Sequence, residues 1–569
     1  MKTLGHSLPS VPVGSAPFEL RRFAEYGPLF VLLALGLALR LIWIAWQTPI
    51  LQGDECEYLR IAENIVRHHR YAGLFEGPQV IYPPLYPLLI ALVSFVTRDL
   101  PTAGLAVGVI CGLCLIAAMY ALAAYLYGTR VALIAGALGA CFPVLVELSG
   151  ILFSQVLYLP LVVGGAYFGM RWADRTGRHS GLLCGACFGL AYLTRPEAVA
   201  GIFVAAAAFV LTAERFGSSI RTALAGTIAP LALTALIAAP YVAYLSHATG
   251  GFRLEGKSVM NFVIAERMNA GMNLNEAQFG LGPGAREDGP LLSPNRWILE
   301  APAAIPLSAL PEFWVRNARR TAAPVRWMLT GPAFGGLLTA GLAAIGLAWR
   351  RRWTPQEVTR ELLLVAFVGG YLAILLGQHA MSLQYVVPLL PFMLVWAARG
   401  IDIVASLPVA LLHQASRAAH AAALASSAAI RIVLFLALLA IAARTVPDGG
   451  EFKSIQPAEA YRRDAALWLA HERHGERRVM SASNEVAYYA QATALRLPYA
   501  TEADALRYLH AKSPDYVVLV HERYATGGDR YHAEWRTRGM TDPAAHLLVR
   551  AGPPDDPDFA IYEWDATGH

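Results

Sequence analysis

The sequence predicts an α-helical polytopic membrane protein of about 11 transmembrane helices, with an amphipathic loop on its outer face and a C-terminal α/β domain. Its 569 residues are 56% hydrophobic and only 15% charged, against about 25% charged residues in soluble domains. Mean hydropathy is +0.44. Apolar runs that approach or exceed the roughly 18 residues of a spanning helix recur between residues 28 and 446. Beyond residue 447 the composition turns charged and mixed, with short runs of strand character. The net charge of +5 is modest and comes without a basic patch interleaved with aromatics, which argues against a nucleic-acid partner.

In chain order, residues 1–27 read as a short cytoplasmic tail. Arg21 and Arg22 precede an apolar run too long for a signal-peptide core, and no A-x-A cleavage site follows, so 28–47 reads as an uncleaved first span. Further spans are expected at about 102–126, 131–147, 151–170, 181–194, 197–213, 222–245, 330–349, 361–377, 383–398 and 428–446. The run at 85–97 is short for a span and suits an interfacial position. With this layout Arg130, Arg171, Arg175, Arg178, Arg215, Arg221, Arg350, Arg351, Arg352, Arg399 and Arg417 share the side of Arg21 and Arg22. Positive charge marks that side as the cytoplasm. The loops 48–83 and 246–329 and the region 447–569 then face outward. The second loop is too long for a passive connector and suits a lid or binding loop. In the C-terminal region, 461–472 and 502–511 read as helices and 478–481 and 516–520 as strands, a small α/β domain.

The stretch with most chemistry follows the first span. Asp54, Glu55 and Glu57 stand where a helix leaves the bilayer, and such charges belong at an interface or in a water-filled cavity. Taken alone, the triplet is a helix start with Asp54 as N-cap. Tyr58, Ile61, Ala62, Ile65 and Val66 recur at helical spacing beyond it, giving an amphipathic helix suited to the membrane surface. An outward carboxylate there could deprotonate an acceptor hydroxyl or amine as it attacks a sugar. A phosphate leaving group would need a cation. Nucleotide sugars are not normally available outside the cytoplasm, so a sugar carried on a membrane-held polyprenyl phosphate is the natural outer-face donor. Lys257, in a Gly-flanked turn, and Arg195, in Leu193-Thr194-Arg195-Pro196-Glu197, are the candidate phosphate contacts; Arg253 is weaker, and Arg60 suits pairing with Glu57 or Glu63. Tyr82 and Tyr86, bracketing Pro83 and Pro84, and the later Tyr385 read as interface anchors or as a wall for the substrate. Gln378 and His379 read as loop residues at the outer end of a late span. The pairs Cys111/Cys114 and Cys184/Cys187 lie in apolar runs without nearby His or further Cys, so no metal ligand is assigned. The sequence requires no cofactor and leaves a divalent metal open.

Five pieces in order carry a family resemblance: Asp54-Glu55-x-x-Tyr58-x-x-x-Ala62-x-Asn64; Pro83-Pro84-Leu85-Tyr86-Pro87; 189–197 around Arg195; Leu254-x-Gly256-Lys257; and Gln384-Tyr385-x-x-Pro388-Leu389-x-Pro391. Together they resemble the GT-C superfamily of membrane glycosyltransferases. The branch they are most like contains the lipid A aminoarabinose transferases and the bacterial relatives of protein O-mannosyltransferases. The resemblance implies a transmembrane glycosyltransferase domain over 28–446 and an extracytoplasmic domain over 447–569. It implies inverting transfer from a polyprenyl-phosphate sugar donor to a lipid, glycan or protein acceptor of the envelope, on the outer, periplasmic face of the plasma (cell inner) membrane. Asp54 is then the catalytic carboxylate with Glu55 as its neighbour. Tyr58, Tyr82, Tyr86 and Tyr385 are expected to contact substrate.

Three positions depart from the pattern. Tyr82 stands where relatives often carry Arg or Lys, which moves the phosphate contact to Lys257 and Arg195. Gln155 replaces a frequent Glu or Asp, leaving Glu147 as the candidate second carboxylate. Gln384 replaces the Arg of a late Arg-Tyr pair. Two rival readings share the membrane bulk: a transporter or flippase for a lipid-linked saccharide, and a non-catalytic envelope-assembly protein. Neither needs a catalytic carboxylate, and no internal repeat of the transporter kind is evident.

Overall fold

A chain this apolar must satisfy its backbone polar groups within each segment that meets lipid, and the helix does so. The computed structural model describes residues 18–47, 50–301, 305, 307–349, 354–378, 382–411, 417–444, 457–472, 475, 477–521 and 530–565. Residues 1–17 of the expected tail 1–27, the basic triplet Arg350, Arg351 and Arg352, and His379 lie outside the described residues, and residues 18–27 of that tail are helical, continuous with the first span.

The chain opens with α1 (Phe18–Trp46), α2 (Asp54–His68), α3 (Leu85–Thr97), α4 (Leu100–Tyr127), α5 (Thr129–Cys141), α6 (Pro143–Leu148), α7 (Gln155–Ala173), α8 (Ser180–Tyr192), α9 (Val199–Leu211) and α10 (Ile220–Thr249). The long loop that follows is folded into α11 (Ser258–Asn269), α12 (Leu274–Phe279), a two-residue hairpin of β1 (Leu281–Gly282) and β2 (Arg286–Glu287), α13 (Pro294–Glu300) and α14 (Leu310–Thr330). Then come α15 (Gly336–Ala348), α16 (Pro355–Leu376), α17 (Leu383–Val386), α18 (Leu390–Leu411) and α19 (Arg417–Ala442).

Among the described residues six helices are long and apolar enough to cross a membrane: 27–46 of α1, α4, α10, α16, the stretch 383–411, and 421–442 of α19. The expected count of about 11 adds α7 and four shorter helices, α5, α8, α9 and α15, each of 13 residues. Thirteen residues rise only about 20 Å, short of a hydrocarbon core of about 30 Å, so length alone does not establish them as crossings. The stretch expected as one span at 131–147 is two helices, because Pro143 ends α5 and opens α6. The carbonyls freed at that break are met by Arg40 of α1. Its fully buried guanidinium donates to Gly139 O (3.2 Å), Ala140 O (3.3 Å), Leu145 O (3.4 Å) and Ser149 Oγ (3.0 Å).

The C-terminal region holds α20 (Pro457–Glu472), α21 (Asn484–Tyr489), α22 (Glu502–Lys512) and α23 (Arg530–Thr537) around a five-stranded sheet. Its strands are β3 (Arg478–Ser481), β4 (Thr493–Arg496), β5 (Tyr516–Val520), β6 (Ala545–Ala551) and β7 (Phe559–Trp564), in the order β4-β3-β5-β7-β6. β3 runs parallel to β4 and β5, and β7 antiparallel to β5 and β6. The sheet lies over one end of the helix bundle, where α21 packs on α2.

Candidate active site

Helix α2 begins one residue earlier in the turn than its sequence suggests. Gly53, at φ 49°, takes the N-cap position and makes no side-chain cap. Asp54 is therefore the first helical residue, not the cap, and its carboxylate is released from the backbone. It accepts a hydrogen bond from Tyr82 Oη at 2.7 Å. Glu55 points the other way: fully buried, it accepts from Gln52 N (2.8 Å) and Leu152 N (2.9 Å). Glu57 accepts from Leu74 N (2.9 Å) and Gln79 Nε2 (2.7 Å), and Gln79 Oε1 in turn accepts from Ile81 N (2.8 Å) and Tyr82 N (3.2 Å). Helix α2 is therefore covered on its polar face as well as its apolar one, and each buried carboxylate has donors to offset its lost hydration.

Burial, opposed by the bonds from Leu74 and Gln79, pushes the Glu57 carboxyl up to about 7. Burial, with the Asp54 charge beside it, also raises the Tyr82 and Tyr58 phenols, so both remain hydroxyl donors. Tyr58 Oη donates to Ser154 Oγ at 2.9 Å.

The five sequence pieces meet here. Leu85 N donates to Leu193 O (3.0 Å), tying the Pro83-Pro84 turn to the segment that carries Arg195. Tyr192 Oη donates to Leu254 O, which brings in the Lys257 loop. Gly256 lets that loop approach closely: a Cβ there would stand 1.7 Å from Val80 O. Gln155 Nε2 donates to Gln384 O at 3.2 Å, so two of the departures from the family pattern touch each other. Tyr371 Oη donates to Tyr385 O at 2.8 Å.

Two adjoining cavities result. One, of about 360 Å³, is lined by Asp54, Tyr58, Arg195, Glu197 and Ser154 and by residues of the long loop. The other, of about 240 Å³, reaches Phe279 of that loop and Asn484 and Arg496 of the C-terminal region. Asp54, Tyr82, Lys257, Asn261, Gln384 and Tyr385 line both and form the partition. Arg195 Nε bonds Glu197 Oε1 at 2.6 Å, and its guanidinium lies 5.8 Å from the Tyr158 ring and 5.7 Å from the Tyr385 ring. Burial alone would lower the Arg195 pKa, but the Glu197 charge outweighs it and keeps the guanidinium protonated. Lys257 Nζ sits 5.0 Å above the Tyr82 ring and has no ion-pair partner among the described residues. An apolar groove between α7, α8, α9 and α16 shares Glu197 with the larger cavity.

Of the sequence-predicted residues, Asp54, Tyr58, Tyr82, Arg195, Lys257 and Tyr385 therefore share one cavity. Tyr86 lies behind it, buried edge-on against Tyr58 at 5.0 Å. Glu55 and Glu147 are buried and do not line either cavity, and Glu55 is held by backbone donors that a sequence pattern does not reveal. Arg253 is buried and donates to Ala301 O (3.0 Å), and Arg60 pairs with Glu63 (3.6 Å). Gln79, Asn261 and Asn484 gave no sequence signal. Asn261 donates to Gln378 Oε1 (2.9 Å). Among the described residues no group of three or more His, Cys, Asp or Glu side chains is placed to hold a metal ion.

Over residues 82–244 the chain matches the family model of the dolichyl-phosphate-mannose-protein mannosyltransferases. No curated protein matches it in sequence. Among solved structures it is similar to the Archaeoglobus fulgidus oligosaccharyltransferase AglB in complex with an inhibitory peptide and a dolichol-phosphate. The TM-score is 0.58 at 16% identity, over 96% of this chain and 75% of that one. It is similar also to ArnT from Cupriavidus metallidurans bound to undecaprenyl phosphate, with a TM-score of 0.54 at 12% identity, over 95% of this chain and 99% of that one. The likeness is one of fold: this chain has the fold shared by these two proteins.

Proposed function

We propose that this protein is an inverting glycosyltransferase that moves a sugar from a polyprenyl-phosphate carrier to an acceptor of the cell envelope. The observation that carries the reading is the position of Asp54 in the wall shared by two cavities, the larger of which Arg195 and Lys257 also line. The larger cavity takes the donor. Its Arg195 and Lys257 face the sugar phosphate, and an apolar crevice that shares Glu197 with it marks the side on which the polyprenyl chain would lie. The smaller cavity takes the acceptor. Asp54 removes the proton from the acceptor hydroxyl or amine as that group attacks the anomeric carbon from the face opposite the phosphate. The bond from the anomeric carbon to the phosphate oxygen breaks, and the polyprenyl phosphate leaves with its charge stabilised by Arg195 and Lys257. Tyr82 holds the Asp54 carboxylate through its hydroxyl and lends its ring to Lys257. Two proteins of the same fold are solved with dolichol-phosphate and with undecaprenyl phosphate, which supports a lipid-phosphate carrier. In this reading the site end of the bundle and residues 447–569 face the periplasm or exterior.

Mass spectrometry of envelope lipids, glycans and proteins tests the reading in cells carrying the wild type, Asp54→Asn or no copy. A sugar-sized mass present only with the wild type is expected, and it identifies the acceptor. Identical profiles in all three cell lines would contradict transfer and favour transport of a lipid-linked saccharide.

A further inference from the structure

We propose that the C-terminal sheet region is a working part of the site and that Glu485 is a positioning residue for Asp54. This rests on the reading of Asp54 as the carboxylate of transfer. Glu485, in α21, is 6% exposed, and its Oε1 accepts a hydrogen bond from Gly53 N at 2.9 Å. Gly53 directly precedes Asp54 and sits at φ 49°, ψ −115°, a conformation that glycine tolerates and side chains disfavour. Among the described residues the Asp54 carboxylate accepts one side-chain hydrogen bond, from the Tyr82 hydroxyl, and the turn is closed by Glu55 N donating to Gln52 O (2.9 Å) and Gln52 N donating to Glu55 Oε2 (2.8 Å). Glu485 grips the peptide inside that turn, immediately before Asp54, and so helps to set the direction in which Asp54 leaves the backbone.

The grip extends to both sides of that peptide. Leu51 N donates to Tyr489 Oη at 3.0 Å, and Arg60 Nη2 donates to Tyr488 O at 3.1 Å with its guanidinium 5.7 Å from the Tyr488 ring. One short helix of the sheet region thus holds the entry to α2 and its second turn. On the other flank Ala494 N donates to Leu74 O at 2.8 Å, beside the amide that Glu57 holds. The C-terminal region thus bonds both the start of α2 and, at Leu74, the loop that leads on to Tyr82. Arg462 lies 3.7 Å from Glu485, which allows charge pairing to be separated from the hydrogen bond to Gly53.

The test uses the purified full-length chain and two readouts, kcat for sugar transfer and hydrogen exchange of the amides in 50–60. Glu485→Ala is expected to lower kcat by about 10- to 100-fold, the scale of a small misplacement of a reacting group. The KM values for donor and acceptor should stay within about twofold, and exchange in 50–60 should rise. Glu485→Gln, whose amide oxygen still accepts from Gly53, should restore both readouts, and adding Arg462→Ala to Glu485→Gln, so that no buried carboxylate is stranded, should leave both near wild type. Tyr489→Phe, which keeps the ring and removes only the acceptor on Leu51 N, should raise exchange there and cost a few-fold in kcat. This variant decides the matter if Glu485→Ala disturbs the sheet itself. Wild-type exchange and kcat in both Glu485→Ala and Tyr489→Phe would overturn the proposal. If the wild type transfers no sugar, the function reading fails separately, and the exchange readout still decides whether the sheet region fixes the Asp54 turn.

Discussion

The two ends of the helix bundle treat charge in opposite ways. At the end away from the site, acidic and basic side chains are spent on one another. Asp174 accepts from Arg360 (2.6 Å) and from Tyr125 Oη (2.6 Å), joining α4, α7 and α16. Glu361 meets Arg399 (3.1 Å), Tyr127 Oη (2.6 Å) and Trp396 Nε1 (3.1 Å), joining α4, α16 and α18. At the site end Asp54 and Lys257 face cavities without ion-pair partners among the described residues. A carboxylate met by two or three donors has little capacity left for a substrate, whereas Asp54 has the Tyr82 hydroxyl alone among the described residues and Arg195 is bonded to Glu197 through Nε only, which leaves its remaining donors for a ligand. The contrast separates scaffold from site using the same residue types.

The contrast can be broken from either side. Arg195→Ala, made together with Glu197→Gln so that no buried carboxylate is stranded, should lower kcat by about 10²–10³-fold if Arg195 meets leaving-group charge. Unchanged turnover would remove Arg195 from the site. At the other end, Asp174→Asn should lower stability to heat by roughly 3 kcal/mol, as for a broken buried pair, while kcat at permissive temperature stays near wild type. A variant that folds normally but loses turnover would show that the paired end also takes part in chemistry.

Glu57 offers a pH test of the layer beneath the site. Its folded-state pKa is raised to about 7 from an ordinary value of 4.5. Folding therefore favours the protonated form, and stability falls as pH rises from about 4.5 through about 7, by up to roughly 3 kcal/mol, and is flat above that. Melting curves at pH 5 and pH 8 should show the wild type losing stability and Glu57→Gln losing much less. Equal slopes would mean that Glu57 is ionised without penalty. Lys257→Ala should have the mildest effect, about tenfold on donor use, because a half-exposed ammonium is partly screened. A kcat/KM for donor equal to wild type would place the phosphate elsewhere.

Much of the frame could be read from the sequence because its cause is local. Apolar runs become helices wherever lipid leaves the backbone no other partner. The spacing of Tyr58, Ile61 and Ala62 yields α2, and 478–481 and 516–520 are strands as expected. The strands at 493–496, 545–551 and 559–564 were missed, since each is short and gains its partners from distant chain. The candidate site was legible where motifs are local: Asp54, Arg195 and Lys257 line one cavity. It was not legible where a role comes from long-range contact: Gln79 joins Glu57 to Tyr82, Gln155 reaches Gln384, and Glu485 lies 432 residues from Gly53. Glu147, the candidate second carboxylate, is buried in α6 and lines neither cavity.

The most direct test separates binding from turnover at Asp54. Purified wild type and Asp54→Asn are compared for affinity to a polyprenyl-phosphate sugar and for transfer of that sugar to the acceptor identified in cells. Asp54→Asn should bind the donor as the wild type does and transfer it at least about 10²–10⁴-fold more slowly, as when a general base is removed. Turnover at the wild-type rate would contradict the assignment of the partition carboxylate as the group that performs the transfer.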